Sequence, residues 1–312
     1  MKNKLCLAYI WCGDRQDVNF DEQLKQIDFN KLTHICVAFA LIKENGGYWL
    51  PYISEDIAVN IKKIKEEIKA QNADTKILLS VGGAYADGFC MASRTTENRR
   101  LFAQTIVAII DELDLDGVDI DWEYPGESML GITCCKHCKS DFIQLLEELR
   151  ALLKSRYLTV AVGSNRYSGI DVKKLGSIVD YVFVMTYDLG VMHSNVLLSK
   201  LFVTMWKLLG IQRHKLCIGV PIYGKNVKNL NDTLNYCELS KGRITHYLGQ
   251  SFSEYNGEKY SFDTDIDVEK KARWALKNDL GGVFCWEITG DENNRLLNAM
   301  NRGIHGKNDK NI

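Results

Sequence analysis

Eight short apolar runs recur along this chain, separated by longer amphipathic stretches, and that alternation constrains the fold more than any single residue does. The runs fall at residues 5–11, 34–41, 76–81, 117–123, 158–162, 181–187, 216–221 and 282–287. Most are apolar nearly throughout, as parallel strands covered on both faces should be. Between them, apolar residues return every three or four positions, the spacing of a helix with one buried face. Residues 54–71 open on Ser54 and repeat Ile57, Val59, Ile61, Ile64 and Ile68. Residues 95–113 open on Thr95 and repeat Leu101, Phe102, Ile106, Ile109, Ile110 and Leu113. Residues 140–154 and 196–209 follow the same logic, as do 268–280, for which Gly281-Gly282 reads as a C-cap. A last helix is expected over 292–301, with a frayed tail beyond. Eight strands alternating with helices over 312 residues predict an α/β fold, a (β/α)8 TIM barrel. A doubly wound sheet would need a glycine-rich phosphate loop after an early strand. Ser80-Val-Gly-Gly83 lacks that spacing. With only three prolines and no Ser/Gly/Pro-rich linker, residues 1–312 read as one domain.

Charge narrows the partners. There are 39 basic and 40 acidic residues, a net charge of −1, and no long run of one sign. Neither nucleic acid nor an anionic membrane finds a footing there, and a neutral substrate fits. No apolar run is long enough to span a bilayer. Lys2 and Lys4 followed by the apolar residues 5–12 imitate the start of a secretion signal, but no small-x-small cleavage site follows. The stretch reads as the first strand, which makes a cytoplasmic monomer the expectation and leaves export open. Cys6, Cys36, Cys217 and Cys285 lie inside apparent strands, where cysteine is usually a small buried hydrophobe. Cys134-Cys-Lys-His-Cys138 gathers soft ligands, yet no second ligand pair is evident nearby. These thiols read as free, with zinc and a disulfide as lesser alternatives, and no metal or other cofactor is expected.

The fourth run carries the chemistry. Asp116-Gly-Val-Asp-Ile-Asp-Trp-Glu123 packs four acids into eight residues that otherwise read as a buried strand. Side chains two apart share a face of a strand, so Asp119, Asp121 and Glu123 point one way, roughly 6.5–7 Å apart along the backbone. Val118, Ile120 and Trp122 point the other way. Like charges that close cannot all ionise in a dry interior, so at least one carboxyl should keep its proton near neutral pH. Such a group is what a general acid must be. A calcium loop would want oxygens around a glycine turn, not Val, Ile and Trp between the acids. In a barrel, catalytic side chains sit at the C-terminal strand ends, and Glu123 falls there, just before Tyr124-Pro125-Gly126.

Other strand ends repeat the theme. Tyr9 and Trp11 end the first strand, and Phe39 lies near the end of the second. Tyr187 and Asp188 end the sixth, Tyr223 follows the seventh and Trp286 ends the eighth. Singly, each is more often core than site. Together they make an aromatic-walled pocket with an acidic floor, and aromatic faces stack on sugar rings.

At this point the residues resemble a family. Asp116-x-x-Asp119-x-Asp121-x-Glu123 is similar to the signature of glycoside hydrolase family 18, the chitinases and their relatives. Ser80-Val-Gly-Gly83, Met185-Thr-Tyr-Asp188, Gly219-Val-Pro-Ile-Tyr-Gly224 and Gly281-Gly-Val-Phe-Cys-Trp286-Glu resemble its motifs at strands three, six, seven and eight. The resemblance implies retaining hydrolysis in which the substrate's own acetamido group is the nucleophile. It implies Glu123 as the acid and Asp121 as the partner of the acetamide. Asp119 would be the support beside Asp121, and Tyr187 a donor to the acetamide oxygen. Trp286 would floor the subsite, with Tyr9, Phe39, Gly83, Met185, Asp188 and Tyr223 around it and Asp116 as deeper support. The substrate implied is an N-acetylglucosamine oligosaccharide or polysaccharide. An endo-β-N-acetylglucosaminidase acting on N-glycan cores or peptidoglycan is the alternative, and a sugar-binding lectin a further one. Two departures limit the groove. Ala84 stands where the family often has Trp, and residues 225–263 are too short for the full α+β insertion between strands seven and eight. A reduced insertion, a shallow cleft and soluble oligomers as substrate are the expectation.

Overall fold

Alternation along the first strand shows how the chain closes. Leu5, Leu7 and Tyr9 face the barrel interior, while Cys6, Ala8 and Ile10 face the surrounding helices, and all six are buried. The computed structural model describes residues 4–13, 19–128 and 131–306. Its strands are β1 Leu5–Trp11, β2 His34–Asn45, β3 Tyr48–Tyr52, β4 Lys76–Gly82, β5 Gly117–Asp121, β6 Tyr157–Gly163 and β7 Tyr181–Met185. Then come β8 Leu216–Pro221, β9 Tyr223–Asn226, β10 Thr233–Asn235, β11 Arg243–Tyr247, β12 Gln250–Tyr255, β13 Glu258–Phe262 and β14 Gly282–Trp286. The order β1-β14-β8-β7-β6-β5-β4-β2 is parallel throughout, and β1 pairs with β2 as well, so the sheet is a closed eight-stranded barrel. β3 hairpins back on the extended end of β2.

Two cores follow from closure. Inside, Leu5, Leu7, Leu78, Phe183 and Phe284 pack against one another. Outside, the other face of each strand packs on the helices through residues such as Val118, Ile120, Ile61, Phe102 and Leu146. The helices begin where side chains can take orphaned backbone N–H groups. Ser54 Oγ accepts from Ile57 N–H, Thr95 Oγ1 from Asn98 N–H, and Asn195 Oδ1 from Leu197 and Leu198 N–H. Among the described residues no helix is long and apolar enough to cross a membrane.

Several boundaries differ from the sequence reading. The helix expected at 268–280 runs Asp265–Lys277, because Thr264 and Asp267 form a capping box that starts it before the first apolar residue. Gly281 and Gly282 do not cap it. Gly282 begins β14 at the seam with β1, where a Cβ would lie 2.0 Å from the Leu5 carbonyl oxygen. The last helix spans Arg295–His305 instead of 292–301, since Asn293 and Asn294 take left-handed backbone angles, and it ends on Gly306. The residues expected to fray are therefore helical as far as His305. Positions 307–312, like Lys2 of the apparent leader and residues 14–15 after it, lie outside the described residues.

The segment between β8 and β14 folds as the reduced α+β unit. A five-stranded antiparallel sheet, β10-β9-β13-β12-β11, carries one short helix, Tyr236–Leu239. Asn256 and Gly257, both at positive φ, turn β12 into β13. The unit is fastened from below by Lys271 Nζ, which lies 2.5 Å from Asp263 Oδ2 with both side chains buried, while Ser194 Oγ donates to Asp263 Oδ1 at 2.7 Å.

Candidate active site

β5 pairs with β4 as far as Asp121 and with β6 only as far as Ile120. Trp122 and Glu123 thus lie past the hydrogen-bonded strand rather than within it, where the ladder has run out of partners. Alternation persists across the junction. Trp122 turns outward, stacked on Phe89 at 5.0 Å between ring centroids and edge-on to Phe142 at 5.9 Å. It is core packing, not a sugar platform. Glu123 turns toward the mouth of the barrel.

Asp119 is buried at the centre of the barrel. Its Oδ2 accepts from Tyr9 Oη at 2.8 Å and Ser80 Oγ at 2.8 Å, and its Oδ1 from Thr159 Oγ1 at 2.7 Å. Burial pushes this carboxyl up, and the three hydroxyl donors only partly oppose it. Burial and the Asp119 charge together keep the Tyr9 phenol protonated, so it stays a donor. Asp121, one step nearer the mouth, is 4% exposed and has no such escort. Its Oδ1 is buried without a hydrogen-bond partner among the described residues. Burial, then the charges of Glu123 and Asp119, hold its pKa well above the ordinary value. Glu123 is in reach of solvent through the cleft yet walled by protein on most sides. That burial raises it from 4.5 to about 7, with Asp188 adding to the rise and a hydrogen bond from the Tyr124 phenol opposing it. These carboxyls cannot all ionise together, as the spacing predicts.

Asp188 behaves oppositely. Burial would raise it, but its surroundings overcome burial and hold it well below the usual carboxylate range. Tyr223 Oη donates to its Oδ1 at 2.7 Å and Lys225 Nζ sits 2.9 Å away, both from β9 of the inserted sheet. His193 lies beside it, with Nδ1 accepting the Asp188 N–H at 3.1 Å. A ring nitrogen that accepts there has no proton for the carboxylate, so Lys225 and Tyr223 do most of the holding.

A cleft of about 590 Å³ collects these groups. Tyr9, Phe39, Asp121, Glu123, Met185, Tyr187, Asp188, Tyr223 and Trp286 all line it. Trp286 stacks on Phe39 at 5.2 Å and meets Tyr9 edge-on at 5.7 Å. Tyr187 packs between Tyr223 and Phe284, and burial with the neighbouring Asp121 and Glu123 charges keeps its phenol protonated.

Two expected residues, Gly83 and Asp116, are placed elsewhere. Gly83 lies beneath the cleft instead of lining it. Its N–H donates to the Asp121 carbonyl at 2.9 Å, and at φ +89° a Cβ there would strike the Phe39 ring at 2.6 Å. Gly82 lines the cleft in its place. Asp119 supports the site from behind. Asp116 sits at the opposite end of β5, where its Oδ2 accepts from Ile77 N–H at 2.8 Å. It ties strands together at the barrel base.

Other residues escaped the sequence reading. Ser80 and Thr159 share an inward parity with their strands' other core positions, a signal that was available. Lys225 and His193 gave none, because the inserted sheet and a loop bring them in. Leu41 and Ile57 extend the wall to which Trp11, already read as a strand end, belongs, with Ala84 exposed where a larger ring would make a shelf.

Known proteins resemble this chain over most of its length. Chitinase 1 of Aphanocladium album is 23% identical over 345 residues, covering 88% of this chain and 80% of that protein. The glycoside hydrolase family 18 N-acetylglucosaminidase of Paenibacillus barengoltzii has 26% identity and a TM-score of 0.79, covering 96% of this chain and 100% of that one. A chitinase-like agglutinin from Robinia pseudoacacia, 21% identical, shares the fold with a TM-score of 0.81, over 96% of this chain and 99% of its own. The model of "Glycosyl hydrolases family 18" matches residues 11–291, and the chain belongs to that family.

Proposed function

We propose that this protein is a retaining hydrolase of β-1,4-linked N-acetylglucosamine, acting on chitooligosaccharides by substrate assistance. The observation that carries the reading is Asp121 Oδ1, a buried oxygen of a cleft-lining carboxyl with no donor among the described residues. Buried polar groups are seldom left so, and an acetamide N–H from the sugar supplies what is missing. A second carboxylate free to attack is absent from the described cleft. Asp188 is engaged by Tyr223 and Lys225, and Asp121 lies on the same strand face as the acid.

The steps follow from these placements. Glu123, protonated, gives its proton to the glycosidic oxygen as the bond to the anomeric carbon breaks. The acetamide carbonyl oxygen of the same sugar attacks that carbon and forms an oxazolinium ion. Asp121 accepts the acetamide N–H and balances the growing positive charge, while Tyr187 donates to the acetamide oxygen. Trp286 supports the ring. Glu123, now ionised, takes a proton from water as the water opens the oxazolinium, so the product keeps the β configuration.

Chitotetraose hydrolysis followed by early NMR tests this. The β-anomer is expected first, and Glu123→Gln should lower kcat by about 10²–10⁴-fold. An oligomer carrying free amines in place of acetamides should not be cut. Cleavage of that oligomer, or a glycoprotein core cut in preference to chitotetraose, would overturn the reading. Binding without cleavage by the wild type would make the protein a lectin.

A further inference from the structure

Away from the cleft, three cysteines from two separate segments converge. Cys90 lies in the helix Phe89–Ser93, Cys138 is the first residue of the helix Cys138–Leu153, and Cys135 precedes it. Their sulfurs all lie within 4.8 Å of one another, and Cys135 Sγ is 3.5 Å from Cys138 Sγ. All three are thiols. Thiolates on one zinc ion, at metal–sulfur bonds of about 2.3 Å, stand roughly 3.8–4.0 Å apart. The cluster therefore needs only small side-chain adjustments to close on an ion. Backbone groups already face the sulfurs. Cys135 N–H donates to Cys138 Sγ at 3.2 Å, and His137 N–H faces Cys135 Sγ. Such donors stabilise negative charge on a coordinating sulfur. Cys90 and Cys138 are buried and Cys135 is partly exposed, so a fourth coordination position would open toward Cys135 and solvent. Sequence spacing displayed only the run Cys134–Cys138, with no further ligand nearby. The third ligand comes from the helix Phe89–Ser93 after β4, brought in by the fold.

We propose that Cys90, Cys135 and Cys138 form a three-thiolate site for a zinc-class ion, with its fourth position taken by water. Each thiol releases its proton to solvent as it ligates, so one ion taken up releases three protons. The ion would tie the segment following the catalytic strand to the helix Phe89–Ser93. Phe89 of that helix stacks on Trp122, the neighbour of Glu123, so the clamp bears on the backbone that presents the acid.

Cobalt substitution tests it. Full-length protein, reduced and stripped with a chelator, is titrated with Co2+ and then with Zn2+. One Co2+ per chain is expected, with a thiolate-to-cobalt charge-transfer band and tetrahedral d–d bands that Zn2+ abolishes. Cys90→Ser, Cys135→Ser and Cys138→Ser should each lose the charge-transfer band, and Cys237→Ser should keep it. Circular dichroism and a cooperative urea transition in Cys90→Ser separate loss of a ligand from loss of the fold. No charge-transfer band in folded wild-type protein would overturn the proposal. So would a band that persists in Cys90→Ser, or a Cys135–Cys138 disulfide that forms under mild oxidant while no ion is taken up by the reduced protein.

Discussion

Glu123 owes its acidity to where β5 stops. Two residues past the last ladder pair, it is deep enough to be desolvated and open enough to meet a glycosidic oxygen. Its rise from 4.5 to about 7 sets two expectations with signs that can be checked. The protonated form is the donor, so kcat/KM on a chitooligosaccharide should fall as pH rises through about 7. A profile flat from pH 5 to about 9 would remove Glu123 from that role. The second expectation concerns stability. A carboxyl whose folded pKa is raised binds more protons folded than unfolded, so its contribution is full below the ordinary value of 4.5 and is lost as pH rises through about 7. Glu123→Gln should therefore be more stable than the wild type at pH 8, by up to about 3 kcal/mol less solvent screening, with the advantage gone near pH 4. Urea midpoints at the two pH values measure it. At this scale the sequence was informative wherever parity along a strand applied. Nine of the expected residues line the cleft, eight of them readable from alternation and strand-end position and Met185 from the resemblance alone. Trp122 turns outward, as the same alternation requires. Gly83 was displaced by one residue because β4 breaks alternation at Gly82, whose φ is +115°.

Among elements, the inserted sheet does the least visible and most necessary work. Tyr223 and Lys225 of β9 hold Asp188 ionised, and the sheet's last residues rest on the buried Asp263–Lys271 pair. Burial pushes the Asp263 carboxyl up, and Lys271 and Ser194 oppose that without cancelling it. Lys271→Met would strand this carboxyl with no cation. The expected cost is about 3–5 kcal/mol of unfolding free energy, read from denaturant midpoints. Asp263→Asn combined with Lys271→Met should recover part of it, since no unpaired charge is then buried. The parts of the insertion that sequence left vague are intelligible in these terms. β11 is exposed along most of its length, so it offers no apolar alternation to read. The helices were legible through their buried faces, and misplaced by a few residues where the Thr264 cap and the left-handed Asn293–Asn294 pair set their starts.

For the molecule as a whole, eight apolar runs were enough to imply the barrel, because parallel strands sheathed by helices leave few other closed arrangements. Closure itself rests on one seam. β1 and β14 run side by side with Gly282 against Leu5, and the space there admits no Cβ. Gly282→Ala should therefore lower stability by about 2–3 kcal/mol, out of proportion to one added methyl group. An unchanged thermal midpoint would mean the seam yields where the packing says it cannot.

The same seam sets a timetable. Tyr9 and Trp286 meet across it, so the two walls of the sugar site are among the first and last residues that a ribosome adds to this fold. A nascent chain still holding β14 in the exit tunnel has no ring beneath the substrate. It also carries β1 as an unpaired strand edge that can join another chain. Activity cannot precede completion of the barrel, and the interval before the last strand emerges is when this protein most needs shielding from its neighbours.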